Sequence, residues 1–226
     1  MIASLACNQG LHEQSIKYIH KAIELSPVLD ENQQNILFTP YREIAKKLRN
    51  TIKQISSVYS MKEIQTESQA VAVQILQNDL SYQLLGVCNE ICAILNDRLL
   101  PNTENPVDKA VYHLVIGDFM RFVGDLVIPE STEAAETSHE NYMIAKSLAE
   151  TLPIAHPVRL TIDLNFSILL SDVLGRTAEA IGLAQTTYNS AISALSTLDE
   201  KQQYVSREIL QLLKDNATAW ASSLIA

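Results

Sequence analysis

Apolar residues recur along this chain at steps of three and four, which is the spacing that places side chains on one face of a helix. One such run is Leu84, Val87, Cys88, Ile91 and Leu95, and another is Ile181, Ala184, Tyr188, Ala191 and Leu195. No stretch alternates apolar and polar residues convincingly enough to predict a strand or a hairpin. The pattern therefore predicts an all-α protein.

Glycine and proline fall mostly between the periodic stretches and divide the chain into about nine predicted helices. Their spans are 2–10, 12–26, 30–61, 67–99, 106–128, 132–152, 157–174, 177–196 and 200–222. Connections of only a few residues force neighbouring helices to pack antiparallel. No Gly/Ser-rich linker or run of charge interrupts the series, so we expect one helical domain over residues 1–226.

Local signals mark several helix ends. Asp30 with Gln33 has the form of a capping box, and Asn105-Pro106 that of an N-cap followed by proline at the first helical position. Pro40 lies inside the third predicted helix, where it removes a hydrogen bond and disfavours helical geometry in the residue before it. We therefore expect a kink or a break near residues 36–40.

Two segments have a residue pattern similar to that of a helical repeat. The second half of a tetratricopeptide repeat is resembled by Gly10–Ile16 followed by Ala22–Pro27. The segment Gly175–Leu195 matches the same pattern less closely. The period of about 34 residues that defines a regular array of this kind is missing. The chain is therefore expected to be a tetratricopeptide-like array of helix pairs rather than a regular solenoid.

Composition narrows the class of protein. Of 226 residues, 47% are hydrophobic, which excludes a disordered chain. The 17 basic and 26 acidic side chains give a net charge of −9, which argues against general binding to nucleic acid or to an anionic membrane surface. Three cysteines cannot all pair, and no leader or bilayer-length apolar run is evident, so we expect a cytoplasmic protein and leave a nuclear pool open.

Signatures of catalysis are weak. His139–Met143 begins like the helix motif of zinc proteases, but Met143 stands where the second histidine is required. Cys88 and Cys92 are four residues apart and could hold a metal, but both lie on or beside the apolar stripe, which favours buried structural thiols. No glycine-rich phosphate loop and no G-x-S-x-G motif occurs. We therefore expect no enzymatic activity, no metal and no cofactor.

Three arginines suggest a different chemistry. Arg42 and Arg49 are seven residues apart and therefore share a helical face, while Arg121 has Asp118 and Asp125 within one helical turn on either side. If the three converged, they would form a local positive site suited to the bidentate recognition of phosphate. The alternative is that they make ordinary ion pairs at the surface.

These segments together resemble the 14-3-3 family over almost the whole chain. The resemblance is strongest in His156–Ser167 and Leu210–Trp220, and Gly117–Arg121, Tyr41–Arg49 and Leu5–Leu25 match in order and spacing. It implies nine antiparallel helices that line a concave groove for phosphoserine or phosphothreonine peptides, usually in a dimer.

The resemblance also implies a role for individual residues. The phosphate would be bound by Arg42, Arg49 and Arg121. The peptide would be contacted by Asn165, Asn216, Asp172 and Trp220, and the apolar wall of the groove formed by Leu164, Ile168, Ile209 and Leu212. The residues themselves leave open that the two asparagines are structural groups and that Trp220 belongs to the core.

Four positions depart from the family pattern. Phe122 replaces a tyrosine that donates a hydroxyl to the phosphate, and Leu114 replaces a groove lysine. Glu208 and Ala219 replace leucines of the apolar wall. We therefore expect weaker phosphate binding or an altered preference for the sequence around the phosphorylated residue.

The family's dimer contacts are altered as well. The positions of two salt bridges between subunits are occupied by Leu11, Gln14, Asp79 and Gln83. An apolar interface could still form through Leu5, Ile55, Val58 and Leu76. We expect a homodimer, or a heterodimer with a related chain, through the N-terminal helices.

The sequence thus predicts an adaptor that binds phosphorylated client proteins in signalling, with neither nucleic acid nor membrane among its partners. The alternative is a helical interaction scaffold that has kept this fold and lost the dependence on phosphate.

Overall fold

The computed structural model describes residues 1–60 and 66–224, except for the side chains of residues 58–60. Within these ranges the chain forms nine α-helices and no strand, so the prediction of an all-α fold is confirmed. The helices are α1 (Ile2–Asn8), α2 (His12–Leu25), α3 (Glu31–Ser60), α4 (Glu67–Ile94), α5 (Pro106–Gly124), α6 (Ser131–Leu148), α7 (Pro157–Ile168), α8 (Thr177–Ala191) and α9 (Glu200–Ser223).

Four of these helices continue into segments of another helical type. α4 runs into a π-helix at Leu95–Leu99 and a 3₁₀ turn at Leu100–Asn102, and α7 runs into a π-helix at Leu169–Val173. α6 and α8 end in the 3₁₀ segments Ala149–Thr151 and Ile192–Thr197. The helices predicted over 67–99 and 157–174 are therefore helical up to Leu99 and Val173, but change their winding at the C-terminal end.

The predicted caps are formed. At α3 the amide N–H of Asp30 donates to Gln33 Oε1 over 2.9 Å, and the N–H of Gln33 donates to Asp30 Oδ1 over 2.8 Å. At α5, Asn105 Oδ1 accepts from the N–H of Val107 over 2.9 Å. These side chains satisfy backbone donors that the first turn of a helix leaves unpaired. The end of α5 was predicted less well, because the helix stops at Gly124 rather than 128.

Of the kink or break expected near residues 36–40, the structure shows no break. α3 is continuous from Glu31 to Ser60 with Pro40 inside it. Proline in a helix interior costs roughly 3 kcal/mol or more. The turns around it bury Leu37, Phe38 and Tyr41 almost completely, and each such side chain stabilises the fold by roughly 1.5–3 kcal/mol. The burial of these side chains therefore outweighs the cost of proline in the helix. A kink in α3 near Pro40 stays a prediction.

The described residues form two compact units. The first takes in residues up to Thr103 together with Leu126–Ser131, and thus α1 to α4. The second takes in Glu104–Asp125 and the described residues from Thr132, and thus α5 to α9 apart from the first residue of α6. Within each unit, sequence neighbours contact one another: α1 with α2, α2 with α3, α3 with α4, α7 with α8 and α8 with α9. The single domain over 1–226 and the concave groove stay predictions.

The second unit has two clusters of buried apolar side chains. The α9 cluster joins α7, α8 and α9 and consists of Ala155, Leu160, Leu164, Ala184, Ala191, Leu195, Leu198, Ile209, Leu210, Leu213 and Ala217. The Tyr142 cluster joins α5 to α8 and consists of Ala110, Leu114, Tyr142, Ala145, Ala149, Ile162, Phe166, Leu169, Leu170 and Ala180. None of the helices that the structure describes combines the length and apolar character needed to cross a bilayer.

Candidate functional site

Two of the three predicted phosphate ligands lie on α3 in the first unit. Arg42 is exposed, and its guanidinium carbon lies 5.6 Å from the centre of the Phe38 ring, a distance at which cation and ring attract each other. Arg49 lies two turns further along and is half-buried. The continuous helix keeps the two arginines on one face, as the spacing of seven predicts.

A polar contact across α2, α3 and α4 anchors the start of this segment. The fully buried hydroxyl of Tyr41 lies 2.9 Å from His20 Nε2, and Glu90 lies 3.8 Å from the same nitrogen. Burial raises the pKa of Tyr41 far above its ordinary value, and the negative charge of Glu90 raises it further. The phenol therefore stays protonated and fixes the turn of α3 that carries Arg42.

Cys88 and Cys92 are buried on α4, as predicted, with free thiols. Burial raises the pKa of Cys92 to about 12. Burial and the neighbouring Cys92 also raise the pKa of Cys88, and the positive charge of Arg49 opposes that rise. Because the thiolate is the reactive form, both residues are chemically inert side chains of the core.

The third predicted ligand, Arg121, belongs to a hydrogen-bond network in the second unit. Arg121 Nε donates to the hydroxyl of Tyr142 over 3.2 Å, and that hydroxyl donates to Asp118 Oδ1 over 2.7 Å. The same carboxylate oxygen accepts from Asn165 Nδ2 over 2.8 Å. We call these four residues the Arg121 network; they join α5, α6 and α7.

The ionisable side chains of the Arg121 network shift one another's pKa values. Burial acts to lower the pKa of the Arg121 guanidinium, but Tyr142, Asp118 and Asp125 together raise it above its ordinary value. The negative charges of the two aspartates therefore favour the charged form of the guanidinium. The pKa of the fully buried Tyr142 is also raised, by burial first and then by Asp118, against the effect of Arg121. The guanidinium is thus a stable cation beside a neutral phenol.

Tyr142 is the member of the Arg121 network that the sequence reasoning missed. It lies on α6, 21 residues from Arg121, so no helical spacing connects the two. The available signal was Gly117 in the middle of α5, where a Cβ atom would stand 2.9 Å from two carbon atoms of the Tyr142 ring. Ser138 secures the same crossing, because its hydroxyl donates to the carbonyl oxygen of Gly117 over 2.7 Å.

The residues predicted to contact the peptide are placed differently from one another. Asn165 is half-buried, and its amide N–H supports Asp118, as the structural interpretation of this asparagine requires. Asn216 is half-buried on α9, and Asp172 is exposed on the π-helical segment after α7. Trp220 is half-buried and packs against both the α9 cluster and the Tyr142 cluster, so part of its surface belongs to the core.

Three of the four predicted wall residues come together. Leu164 and Ile209 belong to the α9 cluster, and Ile168 packs against it. Leu212 lies on the outer side of α9 with 51% of its surface exposed. Leu212 therefore stays outside the buried cluster that the other three predicted wall residues form or pack against.

The four residues that depart from the family pattern differ in their burial and contacts. Leu114 is only 6% exposed and belongs to the Tyr142 cluster, which suits leucine better than lysine. The guanidinium carbon of Arg121 lies 5.1 Å from the centre of the half-buried Phe122 ring. Glu208 and Ala219 are exposed on α9.

The predicted dimer residues lie mostly at the surface of the first unit. Leu5 and Leu76 are 60% and 49% exposed, and Ile55 is half-buried. The side chain of Val58 lies outside the described residues. Leu11, Gln14 and Gln83 line one open cavity of about 970 Å³, and Gln83 donates to Asp79 over 2.9 Å along α4.

Comparison with known proteins agrees with these features. The family model described as 14-3-3 protein matches residues 2–221 of this chain. The chain is 29% identical over 225 residues to the 14-3-3 family protein artA of Aspergillus flavus, covering 98% of this chain and 94% of that protein. It is 31% identical over 229 residues to 14-3-3-like protein A of Vicia faba, covering 99% of this chain and 87% of that protein. It is 30% identical over 227 residues to 14-3-3 protein homolog 1 of Schistosoma mansoni, covering 100% of this chain and 89% of that protein. The chain therefore belongs to the 14-3-3 family of non-catalytic, protein-binding adaptors.

Proposed function

We propose that this protein binds segments of client proteins that carry phosphoserine or phosphothreonine. The observation that carries the proposal is the Arg121 guanidinium, which is charged, half-buried and hydrogen-bonded through Nε to the hydroxyl of Tyr142. Such a cation in a chain of net charge −9 is suited to a doubly charged phosphate, because an oriented guanidinium offers parallel N–H donors to two phosphate oxygens.

The other residue roles are proposed from family membership. Arg42 and Arg49 are proposed as further ligands of the phosphate. Asn165 and Asn216 hydrogen-bond the peptide main chain, and Asp172 and Trp220 contact its side chains. The exposure of Leu212 and the partial exposure of Ile168 support an apolar wall, with Leu164 and Ile209 beneath it.

A peptide pair tests the proposal. Fluorescence polarisation is measured for a labelled phosphoserine peptide and its unphosphorylated twin, each at two salt concentrations. We expect micromolar binding of the phosphorylated form only, weakened by salt because the contact is between opposite charges. Equal binding of the two peptides, or no binding of either, would contradict the proposal; equal binding would instead support a scaffold that recognises clients without phosphate.

We also propose that the protein dimerises with itself or with a related chain through α1 to α4. The exposed leucines Leu5 and Leu76 support this, because large apolar side chains at a surface favour burial against a partner. Rim ion pairs are often worth less than about 1 kcal/mol, so the loss of the family's salt bridges is tolerable. Sedimentation should show a dimer at tens of micromolar, and a monomer alone would contradict this. A cytoplasmic location, with a nuclear pool left open, stays a prediction.

A further inference from the structure

The hydroxyl of Tyr142 occupies a central position in the Arg121 network. The side chain is fully buried, so the hydroxyl cannot itself reach a ligand from solvent. It accepts a hydrogen bond from Arg121 Nε over 3.2 Å and donates one to Asp118 Oδ1 over 2.7 Å. Because it donates to the carboxylate, its remaining lone pairs point away from that proton and are available to the guanidinium.

This contact engages the Nε–H donor, so a phosphate fork that uses Nε together with one Nη is closed. Arginine carries one donor on Nε and four on the two Nη atoms. With Nε held by Tyr142, the plane of the group is set, and the Phe122 ring 5.1 Å from the guanidinium carbon limits it on one face. A phosphate would then approach the Nη side of the group, in a direction that the bond at Nε sets.

The phenol is itself fixed in place. The Tyr142 and Phe166 rings are packed with 5.8 Å between their centres, and Gly117 leaves room for the Tyr142 ring where any Cβ would collide with it. Asn165 donates to the same oxygen of Asp118 and so steadies the carboxylate that accepts from Tyr142. A hydroxyl held this firmly can reduce the rotamer freedom that a long arginine side chain otherwise loses when it binds a ligand.

We infer that Tyr142 is a positioning residue for phosphate recognition: its buried hydroxyl orients Arg121, and through Arg121 it strengthens the binding of phosphorylated peptides. This inference rests on the proposed function. It assigns the effect to a side chain that never contacts the peptide.

The test compares Tyr142→Phe with a matched control. Thr187→Val removes a buried hydroxyl of the same unit, one that donates to Asp163 Oδ2 over 2.9 Å, away from the Arg121 network. By fluorescence polarisation, we expect Tyr142→Phe to bind the phosphoserine peptide about tenfold more weakly, since a hydrogen bond to a charged group is lost. Thr187→Val should bind it as the unchanged protein does, although both variants unfold more easily.

A double-mutant cycle separates positioning from a general effect on the fold. In an Arg121→Lys background the charge remains but the Nε donor is gone, so Tyr142→Phe should cause no further loss of affinity. The inference would be overturned if Tyr142→Phe caused an equal loss in both backgrounds. It would also be overturned if Tyr142→Phe caused no loss in a protein that selects the phosphorylated peptide. In either case the proposed function would stand. Absence of phosphate selectivity in the unchanged protein would overturn both.

A measurement without ligand covers the case in which Tyr142→Phe does not fold. In the unchanged protein, the Nε–H proton of Arg121 should exchange slowly with water in NMR spectra, because it is hydrogen-bonded and half-buried. Arg207, exposed on α9, provides the comparison. Exchange at Arg121 as fast as at Arg207 would overturn the inference.

Discussion

Burial on its own lowers the pKa of an arginine, because an apolar environment disfavours the charged form. At Arg121 the carboxylates of Asp118 and Asp125 and the hydroxyl of Tyr142 reverse that effect. Asp118 is only 7% exposed, and its Oδ1 accepts from two side chains, Tyr142 and Asn165. At the scale of single residues, the candidate site is therefore a network in which the buried Asp118 and Tyr142 support a half-buried cation.

Phe122 lies beside this cation and lacks a hydroxyl. We expect Phe122→Tyr to bind a phosphoserine peptide about tenfold more tightly, since one hydrogen bond to a charged group is worth roughly 1.5 kcal/mol at the lower end of its range. Fluorescence polarisation with the phosphorylated and unphosphorylated peptides measures the change. Unchanged affinity would show that a hydroxyl at this position finds no partner.

At the scale of helices, the crossing of α5 and α6 depends on Gly117. In Gly117→Ala the new Cβ would stand 2.9 Å from the Tyr142 ring, which is fully buried and cannot move aside. Overpacking costs roughly 1–3 kcal/mol, whereas alanine is favoured over glycine in a helix by roughly 1 kcal/mol. We therefore expect a net loss of up to about 2 kcal/mol in the free energy of unfolding, measured by urea denaturation.

Gly182 on α8 is the matched control, because nothing lies within 4 Å of a Cβ built there. Gly182→Ala should raise the free energy of unfolding by roughly 0.5–1 kcal/mol through helix propensity alone. Equal effects of the two substitutions would show that the contact between Gly117 and Tyr142 is not tight.

The start of α7 should depend on pH. His156 Nδ1 accepts from the N–H of Val158 over 3.2 Å as the helix N-cap, a role that needs an unprotonated nitrogen. Burial lowers the pKa of His156 below its ordinary 6.5, although Asp199 opposes the change. The unfolded chain therefore binds the proton more readily, so the stability that this group contributes is complete above about pH 6.5 and is lost as the pH falls below it.

His156→Asn tests this expectation, because asparagine caps a helix without titrating. Urea denaturation between pH 7.5 and pH 5.5 should show a smaller fall in the free energy of unfolding for the variant than for the unchanged protein. The difference should be no larger than the roughly 1 kcal/mol that an N-cap contributes. Parallel pH curves would contradict the role of His156.

At the scale of the whole molecule, the sequence predicts best the structural features that are produced by residues close together along the chain. The nine helices follow from apolar spacing, and the caps at Asp30 and Asn105 from residues three or fewer positions apart. The sequence left open a kink or a break at Pro40, and α3 is continuous there because burial of Leu37 and Tyr41 outweighs a local rule. Family resemblance supplied the positions of Arg121 and Asn165. Only tertiary packing shows that Tyr142 joins them.

The proposed recognition of phosphate through Arg121 is tested by comparing Arg121→Ala with Arg207→Ala. Both substitutions remove one positive charge, but Arg207 is exposed on α9 and its Nη2 donates to Gln203. The quantity measured is the ratio of affinities for a phosphoserine peptide and its unphosphorylated twin. We expect Arg121→Ala to reduce that ratio at least tenfold and Arg207→Ala to leave it within about twofold. An unchanged ratio in Arg121→Ala, or an equal fall in both variants, would contradict the account.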